Sequence, residues 1–153
     1  MDQRIAILLH ILAVVIWVGG MFFAYMAMRP AAAQTLEPPQ RLALWVATFT
    51  RFFPWVWLTV FTLLGSGFYL IARLGGFAVV GAHVHAMLAI GVLMMLIFGH
   101  VYFAGFSRLK RGVAAQNWQA AGAALAKIRL LIGINLSLGI INIFVAILGK
   151  SLI

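Results

Sequence analysis

Apolar residues form four long runs along the chain, separated by segments where polar and charged residues collect. A helix needs about 20 apolar residues to span a bilayer, and runs of that length lie at about residues 5–28, 52–72, 83–106 and 128–148. In lipid, helices and closed barrels alone satisfy the backbone internally. The pattern therefore predicts an all-α, integral membrane four-helix bundle that forms one domain over residues 1–153.

The polar segments between the runs predict how this bundle is oriented. Residues 29–51 hold three basic residues and residues 107–129 hold five, whereas the opposite side has Arg4, Arg73 and Lys150. Basic residues are enriched in cytoplasmic connections, so both connections are expected in the cytoplasm. Both termini then lie on the outer side, which for a bacterial inner membrane is the periplasm.

The same connections are expected to interrupt the helices. Pro30 should close the first helix because proline lacks an N–H and clashes with the preceding turn. Pro38 and Pro39 should keep the connection non-helical, with an interfacial piece from Leu42 leading into the second run. The alanine-rich residues 114–127 are expected to form a short helix on the inner surface.

The amino-acid composition agrees with a membrane protein and excludes several classes of chemistry. The chain is 65% hydrophobic and 8% charged, whereas a soluble domain is about half apolar and a quarter charged. Its net charge of +9 rests on residues at the ends of apolar runs, so nucleic acid is not an expected partner and the lipid bilayer is. The absence of cysteine excludes thiolate sites, and two carboxylates leave no paired acid/base chemistry.

The four histidines are the candidate cofactor ligands. His10 lies about one and a half turns into the first run, and His83 and His85 begin the third, so all three have similar depths near the outer surface. His100 follows His85 by 15 residues, about 22 Å and about 60° further round a helix. Ionisable groups at membrane depth usually face the interior with a partner. His10 and His85 are therefore the expected ligand pair, with His83 as the substitute for His85.

Polar stripes on the other helices suggest the walls of a site. Small polar residues on one helical face are also typical of interhelical packing, so both interpretations stay open. Arginine at each mouth would suit a haem propionate or another anion, and two buried amides on one face need partners. The stripe residues are Arg51, Trp55, Thr59, Thr62, Ser66, Tyr69 and Arg73 in the second run, Asn135, Gly139, Asn142 and Ala146 in the fourth, and Trp17 in the first.

Methionines could serve copper instead, because thioethers prefer Cu(I). In an apolar helix, however, methionine is more often core filler or lipid-facing. The candidates are Met21, Met26, Met28, Met87, Met94 and Met95.

The first run, LHILAVVIWVGGMFFAYMAMRP, resembles the first helix of CopD-like membrane proteins and of the related HemJ-type proteins. HVHAMLAIGVLMMLIFGH and KIRLLIGINLSLGIINIFVAILGK are similar to the third and fourth helices of small CopD-family proteins. The CopD resemblance implies copper uptake across the inner membrane. The HemJ resemblance implies haem binding, with His10 at the position of that family's first-helix histidine. HemJ-type proteins also use a lysine in a later helix. This chain departs from that pattern, because none of its four apolar runs contains an internal lysine.

Two main functions follow from these observations. In the first, His10 and His85 are the axial ligands of an outer haem b, which makes the protein an electron carrier or a haem-dependent membrane oxidoreductase. His100 would then be an inner ligand or a gate to a quinone, with a quinone or a periplasmic redox protein as partner. In the alternative, His10, His83, His85 and the methionines form a copper permease with His100 at the exit. A third possibility is that the protein is a structural subunit. A homo-oligomer is compatible with all three functions.

Overall fold

The computed structural model describes the backbone of residues 2–152 and the side chains of residues 2–149. Within the described residues, the chain is helical without strands, and four helices are long and apolar enough to cross a membrane. This confirms the predicted fold class of an all-α membrane bundle. The four helices are Gln3–Thr35, Pro38–Arg73, Ala82–Ala114 and Trp118–Gly149.

Two of the four long helices contain a π-helical turn. The first consists of α1 (Gln3–Phe23), a π segment (Ala24–Met28) and α2 (Arg29–Thr35). The second helix is α3 (Pro38–Arg73). The third consists of α4 (Ala82–His100), a π segment (Val101–Phe106) and α5 (Ser107–Ala114), and the fourth is α6 (Trp118–Leu152).

The helices extend further than the apolar runs, and Pro30 does not end the first of them. Directly before Pro30, the backbone N–H of Arg29 donates to the carbonyl of Ala24, five residues back. This wider turn is a π-bulge, and such bulges accommodate a residue that cannot join the regular hydrogen-bond ladder. The prediction that Pro30 closes the helix is therefore wrong, because the π segment carries the chain past it.

The other connections are also shorter than the sequence pattern suggests. Pro38 and Pro39 occupy the start of α3, where a missing N–H has no helical partner to lose. Residues 115–117 separate α5 from α6, and the Asn117 side chain caps α6 by accepting from the Ala120 N–H at 3.1 Å. Asparagine is a favoured N-cap, so the expected surface helix over residues 114–127 is instead mostly the first part of α6.

The bundle is built from two helical hairpins. α1 packs mainly along α3, and α4 and α5 pack mainly along α6. Stacked and edge-on rings join the hairpins: Phe53 stacks on Phe49 at 4.8 Å between ring centroids and meets Phe98 at 5.4 Å and Phe106 at 5.1 Å. Trp17 reaches the same cluster from α1, 6.1 Å from Phe98. The largest part of the interior is therefore aromatic and apolar.

The α5–α6 hairpin depends on a close backbone approach at Gly112. An added Cβ there would lie 2.9 Å from the backbone N and Cα of Ala121. Because backbone atoms cannot move aside cheaply, Gly112→Ala is expected to lower the free energy of unfolding by about 1–3 kcal/mol. Gly122→Ala is the matched control, since nothing lies within 4 Å of its Cβ position, and it should gain up to about 1 kcal/mol of helix propensity. Denaturant unfolding in detergent micelles measures both, and equal effects would contradict the close approach.

Candidate functional site

His10 is held by a hydroxyl of the neighbouring helix. It is half-buried in α1, and its Nδ1 lies 2.8 Å from Oγ of the buried Ser66 in α3. The Ser66 hydroxyl donates its one hydrogen to the carbonyl of Thr62 at 2.6 Å. With that hydrogen on the Thr62 carbonyl, Ser66 Oγ accepts from His10 Nδ1–H. The ring tautomer that makes this bond has its lone pair on Nε2.

A hydrogen bond of this kind also occurs at metal-binding imidazoles. A ligating histidine normally donates its other ring N–H to an oriented acceptor, which sets the tautomer and the ring direction. Gly67 lies against the ring, and a Cβ there would be in ordinary van der Waals contact with His10 Cε1, at 3.6 Å. The sequence placed Ser66 on an inward stripe but did not identify it as the partner of His10. Their matching depths on antiparallel helices were the signal.

His83 and His85 point in different directions from the start of α4. The half-buried His83 packs against α6, where a Cβ on Gly149 would come 2.5 Å from His83 Cβ. His85 is exposed, with Nδ1 3.3 Å from the Gly81 carbonyl and its ring 6.1 Å from Phe77. Of these two, the histidine turned towards the bundle is thus His83. His10 contacts Ser66 of α3, whereas His85 contacts Gly81 and Phe77.

His100 lies at the start of a distorted turn. It is the last residue of α4, directly before the π segment Val101–Phe106, and its side chain is exposed. π-bulges are frequent at functional sites. His85 and His100 are both exposed. The helix face that the sequence predicts them to share therefore points out of the bundle rather than into it.

The polar stripe of α3 is split between the interior and the surface. Thr59 and Ser66 are buried, and Tyr69 is half-buried. Arg51 and Arg73 are exposed, and the Arg51 guanidinium donates to the Ala47 carbonyl of its own helix at 3.1 Å. Both arginines therefore lie on the surface, with Arg73 at the end of α3 and Arg51 inside the helix.

Asn135 and Asn142 connect α6 to α4 in a regular ladder. Asn135 Nδ2 donates to the Met94 carbonyl at 3.1 Å, and Asn142 Nδ2 donates to the Met87 carbonyl at 3.3 Å. Both Oδ1 atoms are buried without a hydrogen-bond partner in the part of the chain described. The predicted inward face of the fourth helix is thus present, with one buried acceptor left over on each amide.

One comparison with known proteins decides the family. A family model described as copper resistance protein D, CopD, matches residues 46–148, which is more than half of the chain. The chain belongs to the CopD family. No curated protein and no solved structure matches it. The protein is therefore a multi-pass membrane protein of the copper-resistance type, and the CopD resemblance noted in the sequence is confirmed.

The CopD match covers most of the candidate residues. It includes Ser66 of α3, the three histidines of the third helix and both buried asparagines. His10 and Trp17 lie in α1, outside the matched segment. The hydroxyl that orients His10 is thus within the region that defines the family, although the imidazole itself is not.

A small, partly open cavity lies among the aromatic side chains of the bundle. Its volume is about 30 Å³, and its lining includes Trp17, Met21, Phe98 and Asn135 but no histidine. That volume holds one or two waters, whereas sites for larger ligands measure about 300–1,000 Å³. No cluster of three or more His, Asp and Glu side chains suitable for a metal occurs among the residues described. The family match favours copper, and haem b with His10 and His85 as ligands stays a prediction.

Asn135→Leu is expected to change the free energy of unfolding by less than about 1.7 kcal/mol, the upper range for one interhelical hydrogen bond in a membrane. The substitution loses the bond to Met94 but also removes a buried unpaired acceptor. Asn135→Asp should cost more, because it sets an oxygen against the Met94 carbonyl. Unfolding of both variants in detergent measures the difference. A larger loss for leucine than for aspartate would contradict the assigned amide orientation.

Proposed function

We propose that this CopD protein transports copper across the bacterial inner membrane. The family match over residues 46–148 carries the proposal, because the name of the family refers to copper resistance. The chain has no cysteine, so imidazole and thioether are its soft or borderline ligands, and both suit copper. Copper is here the transported substrate rather than a resident cofactor.

His10 is the first copper-binding group in this proposal. Three of the four histidines lie at the end of the bundle where α1 and α4 begin. His10 Nε2 presents a lone pair because Ser66 accepts from Nδ1–H, and neutral imidazole is the form that binds metal ions. His83, which packs on α6, and the exposed His85 supply additional imidazoles at the same end.

The thioethers of the interior and His100 provide the rest of the copper path. Met21 and Met94 are buried in the core between the hairpins, and Met21 borders the small cavity. His100 lies further along, beside the π segment of the third helix. Copper passes from the imidazoles of the α1 end to the thioethers of the interior and leaves past His100.

The charges at the two ends indicate which end faces the periplasm. Eight of the eleven basic residues lie at the end opposite His10, and basic residues mark the cytoplasmic side. Copper therefore binds from the periplasm and moves inward. By the same argument, we expect both termini in the periplasm.

The test is the copper content of bacterial cells that express the protein. Expression is expected to raise cellular copper and copper sensitivity relative to an empty vector, at equal protein levels confirmed by immunoblotting. An absorption spectrum of the purified protein before and after dithionite is measured in parallel. Unchanged copper content together with the reduced α and β bands of a low-spin haem would replace the copper proposal with the haem prediction.

A further inference from the structure

A second site lies at the opposite end of the bundle, where α5 turns into α6. Arg108 and Arg111 of α5 and Lys127 of α6 line a groove of about 480 Å³, together with Asn117 and small residues. We call this the basic groove. It is open to its surroundings and lies outside the histidine end, so it needs an explanation of its own.

Small residues make the groove concave. Gly112 packs directly on the backbone of Ala121, which brings α5 and α6 together at the base of the turn. The remaining wall consists of alanines at positions 115, 120, 123 and 124. Long cationic side chains therefore project from the rim around a surface that no bulky side chain fills.

The groove lacks a compensating charge within the chain. The chain has two acidic side chains, Asp2 and Glu37. Asp2 caps α1 at the opposite end, and Glu37 is the N-cap residue of α3. Neither of them lines the groove. The N-terminus of α6 opens at the groove and adds the positive end of a helix dipole. Three cations around one concavity repel each other unless an anion lies between them.

The position of the groove favours a lipid as the source of that anion. It lies at the end of the two membrane-spanning helices, beside the half-buried Trp118, and tryptophan is enriched at the headgroup level. Leu130, one turn beyond Lys127, is exposed, as is Phe103 before Arg108. These apolar side chains offer a surface for acyl chains directly below the cations.

We propose that the basic groove binds the phosphate of an anionic phospholipid headgroup. Guanidinium groups suit phosphate through bidentate hydrogen bonds, and basic pockets between membrane helices hold anionic headgroups. The groove would anchor the α5–α6 turn to the membrane surface. This proposal does not depend on copper transport.

Native mass spectrometry of the detergent-solubilised protein tests it, with phosphatidylglycerol and phosphatidylcholine of identical acyl chains as the probes. Arg108→Gln, Arg111→Gln and Lys127→Gln are each expected to lower phosphatidylglycerol binding about fivefold, with phosphatidylcholine binding unchanged. Lys110→Gln and Arg129→Gln are the matched controls, since each removes one charge and neither lines the groove. The Lys110 ammonium lies over the Phe106 ring at 4.5 Å. Thermal unfolding should be equal for all five variants.

Two outcomes would overturn the proposal. If Lys110→Gln and Arg129→Gln lower phosphatidylglycerol binding as much as the groove variants, the lipid responds to diffuse surface charge. If inorganic phosphate alone forms an adduct that the groove variants lose and displaces phosphatidylglycerol, the groove is a site for free phosphate. Selective loss in the groove variants, with phosphate failing to compete, supports a phospholipid site.

Discussion

His10→Ala is expected to lower copper uptake by about 100-fold or more. Loss of an outer-shell partner of a metal ligand alone typically costs 10- to 100-fold in affinity, and this substitution removes the imidazole itself. It also leaves the Ser66 hydroxyl, which is bonded to Thr62, without its donor. Copper uptake at equal protein levels and Cu(I) affinity, measured by competition with a coloured chelator, should fall together.

Leu8→Ala is the matched control for His10→Ala, because Leu8 lies on the same helix and is exposed. It should leave uptake unchanged. Thermal unfolding of both variants checks that α1 still packs along α3. Normal uptake in a folded His10→Ala protein would remove His10 from the copper path and would leave His83 as the inward imidazole at that end.

Ser66→Ala is expected to weaken Cu(I) binding by about 10- to 100-fold through the orientation of His10. Without the hydroxyl, the His10 Nδ1–H has no acceptor, and the ring can rotate and change tautomer. Ser66→Thr retains a hydroxyl and should recover most of the affinity. The same chelator competition measures each variant, and the nitrogen chemical shifts of the His10 ring report its tautomer.

Ser137→Ala separates a positioning role from a general loss of hydroxyl groups. The Ser137 hydroxyl donates to the Gly133 carbonyl of its own helix at 3.0 Å and is exposed. Its removal should affect neither copper affinity nor the His10 signals. A Ser66→Ala protein with the original His10 tautomer and unchanged affinity would contradict the hydrogen-bond assignment on which the site depends.

The number of spanning helices could be predicted from the sequence because apolar run length is set by bilayer thickness. Helix ends could not be predicted as well, since helices continue beyond the apolar region when local hydrogen bonds permit. Pro30 illustrates this: a π turn ending at Met28 carries the helix past it. Such a turn leaves no clear mark in the pattern of apolar residues.

Sequence spacing supplied candidate residues for the site but not the directions in which their side chains point. Depth counting placed His10 at the level of His83 and His85, whereas its hydrogen-bond partner is Ser66 of α3, a partnership that depends on the rotation of both helices. His83 and His85 are two residues apart, or about 200° round a helix, so they point to nearly opposite sides, and the rotation of the helix decides which of them faces the bundle. The structure turns His83 towards α6 and leaves His85 exposed.

Copper uptake into liposomes is the most direct test of copper transport by this protein. Purified protein is reconstituted into sealed liposomes containing a Cu(I)-specific fluorescent chelator, and Cu(I) is added outside under reducing conditions. We expect uptake that saturates with copper concentration, exceeds that of protein-free liposomes and is lost in His10→Ala. Uptake equal to that of protein-free liposomes, by protein shown to be folded and inserted, would contradict copper transport.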